Sequence, residues 1–502
     1  MNARAYVLID AAKGKAEQVL RALWGRPGIA LIDCLEGPPD VIMVAEATER
    51  LELAEFIIQA LTSVEHLVDG IQCLPVSDEG VGCTPVQNKG EEEVNMKRVL
   101  AMILAGGRGK RMDILCQKRA KPALPFAGRF RVIDFSLSNC ANSGIHNIAV
   151  LADYERRPMA DYLGAGVSWG LGQRDNFQVL EPKSGSYKGT ADAIYQNLRY
   201  LDKGAAELIL VLAADHVYKM DYRKMLAFHE RVGADVTVGA ISVPIEEAHR
   251  FGIVTVNAES RIIEFIEKPR IPASSLASMG IYVFNRGILT ERLIEDAAQP
   301  SSPHDFGHAV IPKMVKRDKV FAYKFDGYWQ DIGTVESYYA ANMELTRQMP
   351  SFSLNGSWPV FTKENGALAP EISQEASTKR SLISPGCVIK GKVERSVLSP
   401  GVRVEEEAVV RDSAIMANTT IGKHSVVDRC ILDEEVNIGK FCYIGFGASL
   451  IPGNWDITVL GRGVTVPPYT AICRNCKALP GVGPADLTTK VVPSGTVVTK
   501  RS

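Results

Sequence analysis

Between residues 380 and 446 the aliphatic side chains recur at an interval that few folds can use. Leu382, Val388, Val393, Leu398, Val404 and Val410 begin a series that continues through Ile444 with gaps of five or six. That period matches neither the 3.6 of a helix nor the 2 of a half-buried strand. It matches a parallel β-helix, in which each flat face takes one inward aliphatic per repeat. Small residues follow the aliphatic at the corners, as in Ile421-Gly422 and Ile438-Gly439. A β-sandwich would not keep the interval so steadily. Val464-Thr-Val and Val491-Val-Pro read as later, degraded turns, so residues 380–502 are expected to form the solenoid and its tail. Solenoids stack coil on coil and commonly bring subunits together.

The rest of the chain divides by pattern. Residues 4–76 read as βαββαβ, the order of a ferredoxin-like α+β sandwich. Strands are predicted at 5–9, 29–35, 41–46 and 64–74, with helices at 13–24 and 51–61 and a turn at 36–40. The unit is assigned to 1–76. Residues 77–95 read as a linker, with Gly80, Gly82, Pro85, Gly90 and an acidic run but little that is apolar. From 96 to 345, apolar runs at 99–104, 146–151, 208–213, 235–243 and 279–284 alternate with helical patterns at 134–144, 190–202 and 221–232. This alternation predicts an α/β domain with a largely parallel sheet. Residues 346–379 read as a connector.

The 57 basic and 58 acidic residues leave no net field to gather nucleic acid or an anionic membrane surface. No apolar run reaches the ~18 residues of a membrane span. The first residues lack the apolar core of a signal peptide. A cytoplasmic protein is expected, with no nucleic-acid or membrane partner. Cys473 and Cys476 form the sole C-x-x-C among ten cysteines and lack a second pair, so zinc is not expected.

Chemistry is concentrated where the strand 99–104 ends. Leu104-Ala105-Gly106-Gly107-Arg108-Gly109-Lys110-Arg111 is small, flexible and cationic, and its N–H groups can approach a ligand closely. It is not a Walker loop, because Arg111 follows Lys110 where Ser or Thr belongs. It is not a dinucleotide fingerprint, because Met112 stands where a third Gly is needed. Lys118, Arg119 and Lys121 come next, giving six cations within fourteen residues. Such a group is expected to close around an anion, and a polyphosphate suits it. Asp215 follows the apolar run 208–213, and ligands of α/β sheets sit at strand carboxyl ends.

These stretches, together with Phe130-Arg-Val-Ile-Asp-Phe-Ser-Leu-Ser-Asn-Cys140, Gly189-Thr-Ala-Asp-Ala193, Ala214-Asp-His-Val-Tyr-Lys-Met-Asp-Tyr222, Glu264-Phe-Ile-Glu-Lys-Pro269 and Tyr328-Trp-Gln-Asp-Ile-Gly-Thr334, resemble the glucose-1-phosphate adenylyltransferase family over about residues 98–446. The resemblance implies a Rossmann-like nucleotide-diphospho-sugar transferase domain and a left-handed parallel β-helix of hexapeptide repeats. It implies transfer of the adenylyl group of ATP to α-D-glucose 1-phosphate, with Mg2+, for glycogen or another α-glucan, by a homotetramer. Arg111 and Lys121 would lie over the triphosphate and the α-phosphate, with Asp215 as a catalytic partner. Asp215 and Asp331 would hold the metal. Leu104, Ala105, Gly106, Gly107, Tyr187, Gly189, Thr190 and Ala191 would border the nucleotide. Glu267, Lys268, Ser278 and Gly280 would border the sugar phosphate, and Lys118 matches a position tied to activators. Residues 4–76 resemble the effector-binding domain of the Lrp/AsnC regulators, which dimerises and often binds a small molecule. The alternative there is a dimerisation appendage without a ligand.

Two departures from the family pattern bear on specificity. Residues 177–186 are shorter than the usual base-reading stretch, leaving Gln178 as the candidate reader, and Ala214 replaces a Gly. Other base or sugar pairs therefore stay open, as does a regulatory subunit that binds nucleotide without turnover. Retention of Arg111, Lys121, Asp215, Lys268 and Asp331 argues for catalysis.

Overall fold

Two units, Met1–Glu91 and Glu92–Ser502, divide the chain. The structure is a computed structural model. It describes residues 3–75 and 94–501, apart from 13, 27, 35–39, 48–49, 108, 154–155, 173–175, 184, 203–205, 364–365, 367 and 448–455. The linker 77–95 and the turn 36–40 therefore lie largely outside the described residues, as does Arg108.

In the first unit, strands Ile29–Cys34, Val41–Ala47, Ala3–Ala11 and Val68–Pro75 form one antiparallel sheet in that spatial order. Helices Ala16–Leu23 and Arg50–Thr62 complete the βαββαβ order. Alternation decides the faces: Val7, Ile9, Val41 and Met43 are buried with Val19, Leu23, Leu53 and Ile57 from the helices. Tyr6 and Leu31 lie on the other face and are exposed. The last strand starts at Val68, not 64, because Glu65–Leu67 form a 3-10 turn after the helix.

The second unit carries a nine-stranded sheet and a three-sided solenoid. Leu208–Ala213, Val99–Leu104, Ile148–Leu151 and Phe177–Leu180 pair in parallel, in that order. Val99–Leu104 is apolar throughout because it is covered on both faces: Ala101 and Ile103 join one core, Leu100 and Met102 the other. The expected parallel order stops at Leu208–Ala213. The ten-residue strand Leu276–Asn285 runs antiparallel to it and to Val236–Ser242. The chain between them makes a hairpin, Gly252–Val256 with Ile262–Glu267, instead of a helical crossover, and so returns reversed. The pattern at 190–202 resolves into two helices, Thr190–Tyr195 and Leu198–Asp202.

The solenoid has three parallel sheets of six, seven and seven strands. Its regular coils are 17 residues long, as in Val393↔Val410↔Val427↔Ile444. Those four side chains are almost fully buried, as are Leu398, Ile415 and Leu432 of the neighbouring sheet. One inward aliphatic per face is what the period of six required. The first coil begins before residue 380: Glu371–Ile372 and Ser377–Lys379 already pair with Val388–Ile389 and Lys392–Glu394. Their side chains are mostly exposed, so the aliphatic signal is absent there. Thr465–Val466 and Val491–Val492 rejoin the ladders, as the later turns were expected to. Ala414, Met416, Ile431 and Val459 pack with Leu115, Phe126 and helix Val335–Glu344, which precede the solenoid in the chain. Tyr339 Oη donates to Asp412 O across this junction at 2.6 Å.

Candidate functional site

Three parallel strands deliver their carboxyl ends to one edge of the sheet. Val99–Leu104 opens there into the Gly loop, Ile148–Leu151 leads to Asp153, and Leu208–Ala213 leads to Asp215. Beyond Asp215 the short strand His216–Tyr218 pairs antiparallel with Trp329–Asp331, and His216 stands opposite Asp331. That pairing joins two carboxylates separated by more than a hundred residues.

Lys121 lies between them. Its Nζ donates to Asp215 Oδ2 at 2.8 Å and to Asp331 Oδ1 at 3.2 Å. Burial alone would lower the Lys121 ammonium. Asp215 and then Asp331 outweigh it and hold the group above the usual lysine range. Burial would raise the Asp215 carboxyl, but Lys121 and then His216 hold it below the usual carboxylate range. Lys121 carries a fixed positive charge and Asp215 a fixed negative one. His216 Nε2 is 3.4 Å from Asp215 Oδ1 and 3.9 Å from Asp331 Oδ1. Asp215, His216 and Asp331 each present a ligand atom within 4.8 Å of the others, so the trio could hold a metal ion.

A cavity of about 310 Å³ opens from this cluster, lined by Leu104, Gly106, Gly107, Lys121, Asp153, Tyr187, Gly189, Thr190, Asp215 and Asp305, among others. Tyr187 Oη accepts from Asn197 Nδ2 at 3.1 Å, which fixes the ring beside the opening. Thr190 Oγ1 donates to Asp305 Oδ2 at 2.8 Å and accepts from Phe306 N. Burial raises the Asp305 carboxyl, but hydrogen bonds from His308 N and Thr190 hold it below the usual range. Gly189 has no room for a side chain, because a Cβ would lie 2.3 Å from His304 O. The small residues at 189–191 thus admit the backbone of 303–304, with Ala191 N donating to His304 O.

The expected sugar-phosphate residues lie on the antiparallel half of the sheet. Glu267 Oε1 accepts from Lys268 Nζ at 2.6 Å. The Glu267 carboxylate lies where a side chain on Gly252 or Gly307 would have to go. Ser278 and Gly280 fall at a bulge in which Val238 faces Tyr282 but Ala240 faces Ser278. Gly280 meets it with a φ of +67°, and its Cα side points toward Ala213 and His216. The bulge brings this strand close to the end of Leu208–Ala213.

The cationic segment is not one cluster. Arg119 turns away from the cavity and is buried against the solenoid, its Nη2 2.6 Å from Asp433 Oδ1 and 3.3 Å from Glu434 Oε2. Lys121 answers Asp215 and Asp331. Arg111 is exposed, with its guanidinium near Gly333 beside Asp331. Lys118 is exposed and outside the cavity lining. The expectation that an anion must hold all six cations together is corrected: protein carboxylates balance Arg119 and Lys121. Asp113, in the turn after Arg111, adopts φ 52° and ψ −127° and pairs with Lys477 of the solenoid at 2.6 Å.

Gln178 is exposed on its strand and does not line the cavity. Sequence reasoning missed Asp153, His216, Arg250, Asp305 and Trp329. Asp153 follows an apolar strand just as Asp215 does, so the same rule would have found it.

A profile of the Nucleotidyl transferase family matches residues 100–348, and one for the GlmU-like C-terminal hexapeptide region matches 368–474. The chain is 43% identical over 390 residues to the glucose-1-phosphate adenylyltransferase of Fervidobacterium nodosum, covering 76% of this chain and 94% of that protein. It is 45% identical over 422 residues to that of Thermomicrobium roseum, covering 80% and 98%. With that of Bacillus mycoides it shares 46% over 350 residues, covering 68% and 93%. The two profiles take in the sheet with its acid pair and much of the solenoid, and on these identities and coverages the chain belongs to the glucose-1-phosphate adenylyltransferase family.

Proposed function

We propose that the cavity takes ATP, that Lys121, Asp215 and Asp331 act on its phosphates, and that glucose 1-phosphate approaches from the side of Glu267 and Lys268. The protein is an enzyme that transfers the adenylyl group of ATP to α-D-glucose 1-phosphate, giving ADP-glucose and pyrophosphate, and so serves α-glucan synthesis. An oxygen of the sugar phosphate forms a bond to the α-phosphorus while the bond from that phosphorus to the bridging oxygen breaks, and pyrophosphate leaves with the electron pair. A phosphate monoester has a second pKa of about 6, so the nucleophile is already anionic near neutral pH and needs no general base. The difficulty is charge, since two anions must meet.

Lys121 carries the reading. Its ammonium is held between two carboxylates, with the Gly loop along the same cavity. It can exchange a carboxylate contact for a phosphate oxygen without leaving its place. Arg111, exposed beside Asp331, adds charge toward the triphosphate. Leu104, Gly106, Gly107, Tyr187, Gly189 and Thr190 line the cavity as the nucleotide wall, whereas the expected Ala105 and Ala191 are buried and lie outside its lining. Lys268 takes the sugar phosphate and Glu267 takes sugar hydroxyls. Ser278 and Gly280 border the sugar.

The donor set suits Mg2+: Asp215 and Asp331 offer hard oxygens, and the pair already attracts a cation in Lys121. When bound there, the ion would supply charge stabilisation for the phosphoryl oxygens. The family supports a homotetramer and a left-handed sense of the solenoid. The βαββαβ order of the first unit supports a dimerising, effector-binding module, and the exposed Lys118 supports an activator contact. Among the described residues no helix is long and apolar enough to cross a membrane.

A panel of four nucleoside triphosphates against several sugar 1-phosphates, read as pyrophosphate release, tests the reading. ATP with glucose 1-phosphate should give the highest kcat/KM. Nucleotide binding without turnover on any pair would overturn it.

A further inference from the structure

We propose that Arg250 is a substrate-binding residue that receives the phosphate of the sugar phosphate together with Lys268. The proposal rests on the reading of Glu267 and Lys268 as the sugar-phosphate side of the site.

Arg250 follows the short helix Ile245–Ala248 and opens the hairpin. Its Nη1 pairs with Glu247 Oε2 at 3.2 Å. Its Nη2 is shut off from solvent and has no hydrogen-bond partner among the described residues. The carboxylate it faces is Asp331, whose Oδ2 is 3.9 Å away. That is an attraction but not a hydrogen bond. A buried charged donor left in this state is costly, and its persistence points to an acceptor that arrives with the substrate.

Position identifies the acceptor. One residue on, Phe251 O accepts from Lys268 N at 3.0 Å, and Gly252 pairs with Glu267. Arg250 therefore stands next to the sugar-phosphate residues while its guanidinium reaches Asp331. The wall between is continuous. The guanidinium lies over the Phe251 ring at 5.4 Å. Phe251 packs edge-on against Trp329 at 5.3 Å, and Trp329 against His216 at 5.0 Å. Trp329 Nε1 and His216 Nδ1, on the same wall, are also buried without a partner among the described residues. A phosphate entering beside Lys268 would meet Arg250 on its way to the acid pair. Its three oxygens exceed what one ammonium can satisfy, and a guanidinium fork supplies two further parallel donors.

The competing explanation is that Arg250 only screens Asp331. A lysine would then serve, and metal dependence would change instead of sugar-phosphate affinity.

Arg250→Met, Arg250→Lys and Lys268→Met are compared in the full-length protein. KM for glucose 1-phosphate, KM for ATP and the Mg2+ concentration for half-maximal rate are measured separately. Arg250→Met is expected to raise KM for glucose 1-phosphate about 10- to 100-fold. The other two quantities should stay within about twofold, and Arg250→Lys should recover only a minor part. A sugar-phosphate KM within twofold of the parent for either Arg250 variant overturns the proposal, as does an equal change in the ATP or Mg2+ terms. If Arg250→Met does not fold, Arg250→Lys decides alone. Should Lys268→Met raise this KM while the Arg250 variants do not, Arg250 falls and the site reading stands. Should none raise it, the site reading falls.

Discussion

Arg119 and Lys121 leave the same stretch of chain two residues apart, both buried, and each ends between two carboxylates. Arg119 meets Asp433 and Glu434, with the Asp433 side chain 2% exposed. Lys121 meets Asp215 and Asp331, with the Asp215 side chain 36% exposed and facing the cavity. The first pair lies outside the cavity lining and holds the solenoid to the sheet domain. The second has one open side, where a ligand can compete for the ammonium. Burial of the cation does not separate the two sites, but access to its partner does.

Removing each cation should break the contrast in opposite directions. Arg119→Met leaves Asp433 buried without its partner and is expected to cost about 3–5 kcal/mol, read from denaturant unfolding. The kcat of the folded fraction should stay near the parent's. Adding Asp433→Leu to it should return most of that loss, since an apolar pair can replace a buried ion pair at little cost. A large fall in kcat with an unchanged unfolding midpoint would erase the distinction. Lys121→Met should lower kcat by about 10²–10³. Its midpoint should fall less than that of Arg119→Met, because Asp215 can take water from the cavity.

Asp134 supplies a third and smaller case, a buried carboxyl with no cation in hydrogen-bond contact among the described residues. It accepts from Arg131 N at 2.8 Å and from Tyr162 Oη at 2.8–2.9 Å. Burial nevertheless pushes it up to about 7. The folded protein thus keeps a proton there that the unfolded chain, at its ordinary value of 3.8, has lost. The group's stabilising contribution is full below that value and is lost as pH rises toward 7. The parent should therefore lose stability relative to Asp134→Asn between about pH 4 and 7, read as the difference between their unfolding midpoints. A constant difference would mean that Asp134 titrates alike in both states.

The sequence announced what depends on local repetition. Leu398, Ile415 and Leu432 declare the solenoid because each coil must fill the same interior position. The strands 99–104 and 208–213 announce themselves because both faces are covered. Gly252–Val256 and Val320–Lys324 did not, since each mixes buried with half-exposed residues over five positions. Asp215 was legible from its place at a strand end. Arg119 was misread because its partner lies 314 residues away, and no local spacing reports that. Arg250 sits in Glu246-Glu-Ala-His-Arg, which reads as an ordinary charged surface, and only the bare Nη2 in the fold distinguishes it.

The spacing of Arg119 and Lys121 also has a mechanical meaning. Ala120 between them is extended, and Pro122 stiffens the chain just after Lys121. An extended chain rises about 3.3 Å per residue, so the two anchors sit only about 7 Å apart along the backbone. There is no slack in a link that short. A displacement of Asp433 relative to the sheet would therefore be felt within two residues of Lys121. The joint that fastens the solenoid to the sheet domain thus lies two residues from the ammonium that lines the cavity.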